Sequence, residues 1–227
     1  MGPAVGNGLF RWRKQPVVRR TKEEAQETRQ RLLDAAECLF HRNGVSHTSL
    51  QQIATQAGAT RGAIYWHFKD KGDLFNAMMV RVTLPLEQAM ARRPPAGADP
   101  LELLRQAMHG ALVRLRDDAQ FRRVVEIAMH KVEYVDELHA VRARHLSVRN
   151  QCVTDIARAL RLAARERQCR LRPSARVAAA CLHAAVDGLI SNWLLDPQAF
   201  DLPSMGAHML ALHLSSLGLS EPAPRGA

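Results

Sequence analysis

The sequence predicts an all-α fold, and three observations carry that prediction. Apolar residues make up 47% of the 227 residues but aromatics only 5%, and Ala, Leu and Arg, all good helix formers, abound. No run of alternating Val, Ile and Thr reads as a strand. Apolar residues instead recur at helical spacing, in segments separated by Gly and Pro.

The chain opens on a basic arm, residues 1–25. Arg11, Arg13, Lys14, Arg19, Arg20 and Lys22 fall within twelve residues that hold no acid. The whole chain carries 32 basic against 22 acidic residues, a net charge of +10, which suits a polyanionic partner. The first helix is expected from about Lys22 to Asn43. Leu32, Leu33, Ala36, Leu39 and Phe40 form its apolar stripe, and Gly44 ends it.

Residues 49–68 read as a helix-turn-helix. Thr48 is the expected N-cap, with Gln51 three residues on as its capping-box partner. Leu50, Ile53, Ala54 and Ala57 make one apolar face, and Gly58 stands where a helix would end. Thr60 caps a second helix, Arg61 to about His67, with Ile64 and Phe68 facing inward. Its outer face gathers Arg61, Gly62, Tyr65, Trp66 and His67, a set that packing alone explains poorly. Arg61 can reach a phosphate or a guanine edge, and Gly62 permits close backbone approach. The helix N-terminus attracts phosphate, and Lys69 and Lys71 suit backbone charge. A pair of ordinary core helices is the competing reading.

A fourth helix is expected from about Lys71 towards Ala91, kinked at Pro85, as a lever between two domains. The breaker-rich run Arg92–Pro100 is the plainest linker. Helical patterns then cover about 100–118, 120–132, 134–168, 173–195 and 203–217. Pro173 is expected in a first turn, and Pro222 and Pro224 mark a frayed tail, 218–227.

His109, His130, Glu133, Asp187 and Asn192 each interrupt an apolar neighbourhood in the C-terminal half. An unpaired buried polar group costs about 1–3 kcal/mol, so such residues are either satisfied core networks or ligand contacts. His130-x-x-Glu133 has a metal-site spacing, but no second pair accompanies it, so neither metal nor cofactor is expected. Cys38, Cys152, Cys169 and Cys181 form no close pair and are expected to be small buried hydrophobes. No stretch reads as the ~18 apolar residues of a membrane span. Residues 1–15 lack the apolar core of a signal peptide. A cytoplasmic protein is expected.

The run Thr48-Ser49-Leu50-x-x-Ile53-Ala54-x-x-x-Gly58-x-Thr60-Arg61-Gly62-Ala63-Ile64-Tyr65-Trp66-His67-Phe68-x-x-Lys71-x-x-Leu74 resembles the DNA-binding domain of TetR-family transcriptional regulators. Arg20–Arg29 upstream is similar to the AcrR/TtgR group, repressors of multidrug efflux operons, as are Glu126–Glu137 and Val186–Leu195. The resemblance covers roughly residues 17–203. It implies a DNA-binding domain at 26–86 and a ligand-binding and dimerisation domain at 99–217. It places Thr48, Gly62 and Tyr65 near bases, and Thr60, Arg61, Trp66, His67 and Lys71 on phosphates. Trp66 departs from the Tyr of many relatives and donates only through its indole N–H. His109, His130, Glu133, Asp187 and Asn192 become candidate contacts to a lipophilic drug or phenolic inducer. Val17 stands where relatives of this group begin, so residues 1–16 are expected to precede the native start.

The last two helices are expected, on the resemblance, to form a four-helix homodimer interface. Met205, Met209 and Leu212 recur on one, and Ala178, Cys181, Ala185 and Gly188 allow close approach on the other. A dimer would set two recognition helices ~34 Å apart on a palindrome. The reading is a double-stranded-DNA-binding repressor released by a small-molecule inducer. The rivals are a helical hydrolase using His130 and Glu133, for which no nucleophile is evident, and a sequence-indifferent architectural DNA binder.

Overall fold

A computed structural model describes residues 22–91, 97–134 and 138–219, with side chains left out for 84–91. The basic arm up to residue 21, the start at Val17, most of the linker and the tail beyond 219 lie outside the described residues.

The described residues form α1 (Lys22–Asn43), α2 (Leu50–Gln56), α3 (Arg61–His67), α4 (Lys71–Ala91), α5 (Pro100–Asp117), α6 (Ala119–His130), α7 (His139–Glu166), α8 (Ala175–Leu195) and α9 (Leu202–Ser216). The all-α expectation holds. Helix α4 continues through Pro85, where the expected kink falls among the side chains left out. The segment expected to be helical from 134 begins only at His139.

Local chemistry explains most boundaries. Asp99, Asp118, Ser174 and Asp201 each cap a helix by accepting a hydrogen bond from a first-turn amide. Pro100 and Pro203 occupy first turns, where a missing N–H costs nothing. Pro173 does not: it precedes the cap Ser174, because that serine side chain supplies the acceptor for the Val177 amide.

Two apolar cores result. The first joins α1, α2, α3 and α4 to Phe121, Val124 and Ile127 of α6 and to Trp193 of α8. The first four helices are thus fused to the second half through α6. The second core packs α5, α7, α8 and α9 around Leu160, Ala163, Ala179 and Leu214. Gly206 allows α9 to meet α5, since a β-carbon there would lie 2.2 Å from Leu112.

Two expectations fail here. Cys38 and Cys181 are exposed, and Cys152 and Cys169 are half-buried, because each lies beside a core stripe rather than on it. Helix α8 is long and apolar enough to meet the length and composition test for a membrane span. Its apolarity has another outlet: Ala178, Ala179 and Leu182 pack inside, while Val177, Cys181, Ala185 and Leu195 face outward.

Candidate functional site: a helix-turn-helix face and an internal cavity

Helix α2 starts one residue later than the sequence suggests. Ser49, not Thr48, is the cap: its Oγ accepts from the Gln52 amide at 3.2 Å, and Gln52 Oε1 accepts from the Ser49 amide at 2.8 Å. Thr48 is only 1% exposed, and its hydroxyl donates to the Gly44 carbonyl at 2.8 Å. Its side chain therefore holds the α1–α2 loop together. Gly58 has φ +62°, the left-handed conformation a glycine adopts cheaply, and Arg31 donates to the neighbouring Ala57 carbonyl at 3.1 Å.

Thr60 caps α3, its Oγ1 accepting from the Ala63 amide at 3.1 Å. Ile64 and Phe68 are buried, as their spacing predicts. The opposite face stands in solvent: Tyr65 is 51% and Trp66 72% exposed, flanked by exposed Arg61 and Gly62. The Arg61 guanidinium lies 5.8 Å from the Tyr65 ring centroid, and Trp66 meets the half-buried His67 edge-on at 4.5 Å. Arg61, Tyr65 and Lys69 border a concave surface of about 680 Å³ beside the start of α2.

Lys71 lies at the edge of the same surface. It borders this concavity but is only 6% exposed, and its Nζ donates to the Ser46 carbonyl at 3.2 Å. Its ammonium sits against the loop before α2.

The second feature is a cavity of about 480 Å³ between α4, α6, α7 and α8. Phe75 and Met79 of α4, Ala128 and Met129 of α6, and Val141 and Val148 of α7 give it apolar walls. Asn76 also lines it, donating through Nδ2 to the Ala140 carbonyl at 3.4 Å. Its Oδ1 is buried with no protein partner among the described residues, an acceptor that a bound molecule can satisfy.

Of the five candidate ligand contacts, Asp187 lines this cavity. The other four do not. His109 is exposed on α5. His130 shares a 2.9 Å hydrogen bond with Ser191, linking α6 to α8. Glu133 is exposed beyond the end of α6. Asn192 donates to the Gly188 carbonyl of its own helix at 2.7 Å.

Sequence reasoning missed the residues that do line the cavity: Tyr134, Arg144, His145, Cys152, Asp155 and His183. His183 Nδ1 lies 3.2 Å from Asp187 Oδ2, one helical turn on. The hydrogen bond to Asp187, then the one to Cys152 across the α7–α8 interface, push the ring up to about 10 despite its burial. His183 is therefore an imidazolium at neutral pH. The i, i+4 spacing of His183 and Asp187 was a readable signal; the approach of Cys152 was not. Burial also pushes the Tyr134 phenol up, and its hydroxyl lies 3.1 Å from His145 Nδ1.

Polar ties join the two features. Glu37 of α1 has a side chain only 4% exposed; it accepts from Arg81 of α4 at 2.9 Å and from Arg123 of α6 at 2.9 Å. Gln120 adds a third donor at 3.0 Å. Nearby, His41 lies 3.1 Å from Glu126, and the Val45 amide donates to the Lys131 carbonyl at 3.0 Å.

An exposed aromatic recognition helix, tied through α4 and α6 to an apolar cavity, defines the class of helix-turn-helix regulators with an internal effector chamber. Residues 32–78 match the bacterial regulatory proteins of the tetR family, and residues 99–218 the C-terminal region of the MAATS-type transcriptional repressors. The chain is 41% identical to the HTH-type transcriptional regulator TtgR of Pseudomonas putida over 187 residues, 82% of this chain and 89% of that one. Its fold is similar to that of NalD, described as the secondary repressor of the MexAB-OprM multidrug efflux pump in Pseudomonas aeruginosa. That match has a TM-score of 0.77 at 38% identity and covers 86% of this chain and 98% of NalD. SmeT in its complex with triclosan matches with a TM-score of 0.73 at 32% identity, covering 88% and 97%. The chain belongs to the TetR family of bacterial transcriptional regulators.

Proposed function

We propose that this chain is a cytoplasmic, homodimeric repressor of a multidrug efflux operon, and not a catalyst. It binds a palindromic operator through α3 and leaves it when a lipophilic compound fills the cavity. One observation carries the release step: α4, which follows the recognition helix directly, supplies Phe75, Asn76 and Met79 to the cavity wall. A ligand that packs on those side chains favours one placement of α4 over another, and only such differential affinity can shift the operator-binding population. A 100-fold shift needs about 2.7 kcal/mol of coupling. The pump repressor NalD and the triclosan complex of SmeT support the target and the ligand class. The outward apolar face of α8 and α9, with Val177, Leu195, Met205 and Leu212 all largely exposed, supports a dimer through those helices. Within it Cys181, Ala185 and Gly188 are exposed as that role needs, whereas Ala178 is buried inside the monomer.

Fluorescence anisotropy on the intergenic DNA upstream of the gene tests this reading. Operator binding should exceed binding to random DNA and weaken with triclosan. Tyr65→Ala should cost roughly 1–3 kcal/mol on operator DNA and far less on random DNA. Equal affinity of the wild-type protein for both DNAs would sink the repressor reading.

A further inference from the structure

The corner between α7 and α8 is a concentration of arginine. Residues 158–176 hold seven arginines against one acid, Glu166, a net +6 of the chain's +10. Helix α7 starts beside α4, where Asn76 donates to the Ala140 carbonyl, and its 28 residues carry the chain about 42 Å away. Its last turns pack with the start of α8 and the end of α9 in the second core, through Ala163, Ala164, Ala175 and Leu217. Two of the seven are paired, Arg158 with Asp155 and Arg167 with Asp99 at 3.2 Å. Arg161 donates to the Ala157 carbonyl of its own helix at 3.0 Å. Arg165, Arg170, Arg172 and Arg176 are exposed and meet no carboxylate among the described residues. Helix electrostatics accounts for Arg165, in the last turn of α7. It does not account for Arg176, in the first turn of α8, where the dipole disfavours a cation. Like charges gathered in one corner repel one another, and a partner that brings negative charge relieves that repulsion. What the corner lacks narrows the partner. None of the large apolar side chains that stand exposed lies between 158 and 176, and the segment has no aromatic residue. A stable hold on a bilayer takes cations together with a second, apolar signal. A protein interface has an apolar or aromatic centre, and single-stranded nucleic acid stacks on aromatic rings. The backbone of double-stranded DNA needs cations alone.

We propose that the α7–α8 corner is a second, sequence-independent contact for double-stranded DNA, so that a dimer seated on its operator through α3 also holds another duplex segment at the far end of α7. Arg165, Arg170, Arg172 and Arg176 carry the contact. Each guanidinium donates charge-assisted hydrogen bonds to phosphate oxygens and releases a condensed counterion. The corner reads no base, so its strength is set by salt and by the local concentration of DNA. An operator-bound dimer meets a high local concentration, because the flanking DNA is tethered to the same operator. The bridging role rests on the reading of α3 as the operator-binding helix, although the contact itself can be scored on any duplex.

The test uses the full chain in a sandwich. A first duplex, either the intergenic DNA upstream of the gene or a random sequence, is fixed to a surface and loaded with protein. A fluorescent random duplex is then passed over it. Wild-type protein on the intergenic DNA should retain the second duplex at low salt. Arg165→Gln, Arg170→Gln, Arg172→Gln and Arg176→Gln combined should weaken that retention at least ~10-fold and lower its logarithmic salt slope by roughly 3–4, about one per guanidinium. Affinity for the first duplex should stay that of wild type. Arg→Lys at the same four positions should keep most of the retention, which a purely structural role of the arginines would not explain. No second duplex retained by wild-type protein, or undiminished retention by the Gln variant, overturns the proposal; the wild-type result decides even where a variant fails to fold. Phosphatidylglycerol vesicles held more tightly than the duplex at equal phosphate overturn the assignment to DNA. Protein captured by the intergenic DNA alone, with no second duplex retained, leaves the repressor reading intact and removes this one. Equal capture by intergenic and random DNA, with a second duplex that the Gln variant loses, sinks that reading and keeps the contact.

Discussion

Polar contacts within the helix-turn-helix close over very short stretches of chain. Ser49 and Gln52 cap each other three residues apart, Thr60 accepts from Ala63, and Thr55 donates to the Gln51 carbonyl. Contacts around the cavity are drawn from distant segments. Asn76 reaches Ala140, and His130 reaches Ser191. The difference has a functional consequence. A unit held by its own caps keeps its shape while it is carried as a body, whereas a chamber assembled from four helices changes shape when any of them shifts. The first presents a fixed surface to a fixed partner; the second is suited to convert occupancy into motion.

The strongest way to break this contrast is to cut the tie between the regions. Glu37 is the buried carboxylate between Arg81 and Arg123, one guanidinium from each side of the junction. Glu37→Ala strips Arg123 of this anion and leaves Arg81 only Asp34, at 2.6 Å, and should destabilise the protein by about 1–3 kcal/mol. Thermal melting measures it. A loss below about 0.5 kcal/mol would mean that apolar packing through α6 alone joins the halves.

A smaller effect sharpens the local side of the comparison. Ser49→Ala removes the α2 cap and should cost about 1 kcal/mol. Because the cap is local, the affinity of the cavity for triclosan should not change. A matching change at the cavity would contradict the autonomy of the helix-turn-helix.

The same contrast decides how much was legible before any coordinates. Gly58, Thr60, Ile64 and Phe68 were placed correctly, because turn chemistry and helical period act over a few residues. Capping at Ser49 rather than Thr48 is a one-residue slip between two adjacent hydroxyl residues, each with a Gln three positions on. Its consequence was larger than the slip, since it turns Thr48 inward to Gly44. At Lys71 the sequence shows a cation next to the motif but not the Ser46 carbonyl that it reaches. In the cavity, only Asp187 was found. Polar interruptions of apolar runs flag residues on an inner helix face, yet which inner face borders a void depends on helix rotation and crossing, and single-chain spacing carries neither. His130 shows the limit well, being an inward polar residue satisfied by Ser191 instead of by a ligand.

The smallest expected effect concerns a cavity pair that is itself local, as Gln151 and Asp155 on α7 also are. His183 and Asp187 sit one turn apart on α8, with side-chain exposures of 15% and 48%. Pairing holds the folded His183 at about 10, above the ordinary 6.5. A group whose folded pKa is raised stabilises fully below its unfolded value, and that contribution is lost as pH rises through the folded value. The melting difference between wild type and Asp187→Asn should therefore be greatest near pH 6 and shrink steadily towards pH 10. Because Asp187 is half in water, the difference should stay at or below about 1 kcal/mol. A gap that widens with pH would show that Asp187 is held by something other than the imidazolium. The chamber would then keep the Gln151–Asp155 pair, but not this one, as a short-range contact following the same local logic as the helix-turn-helix.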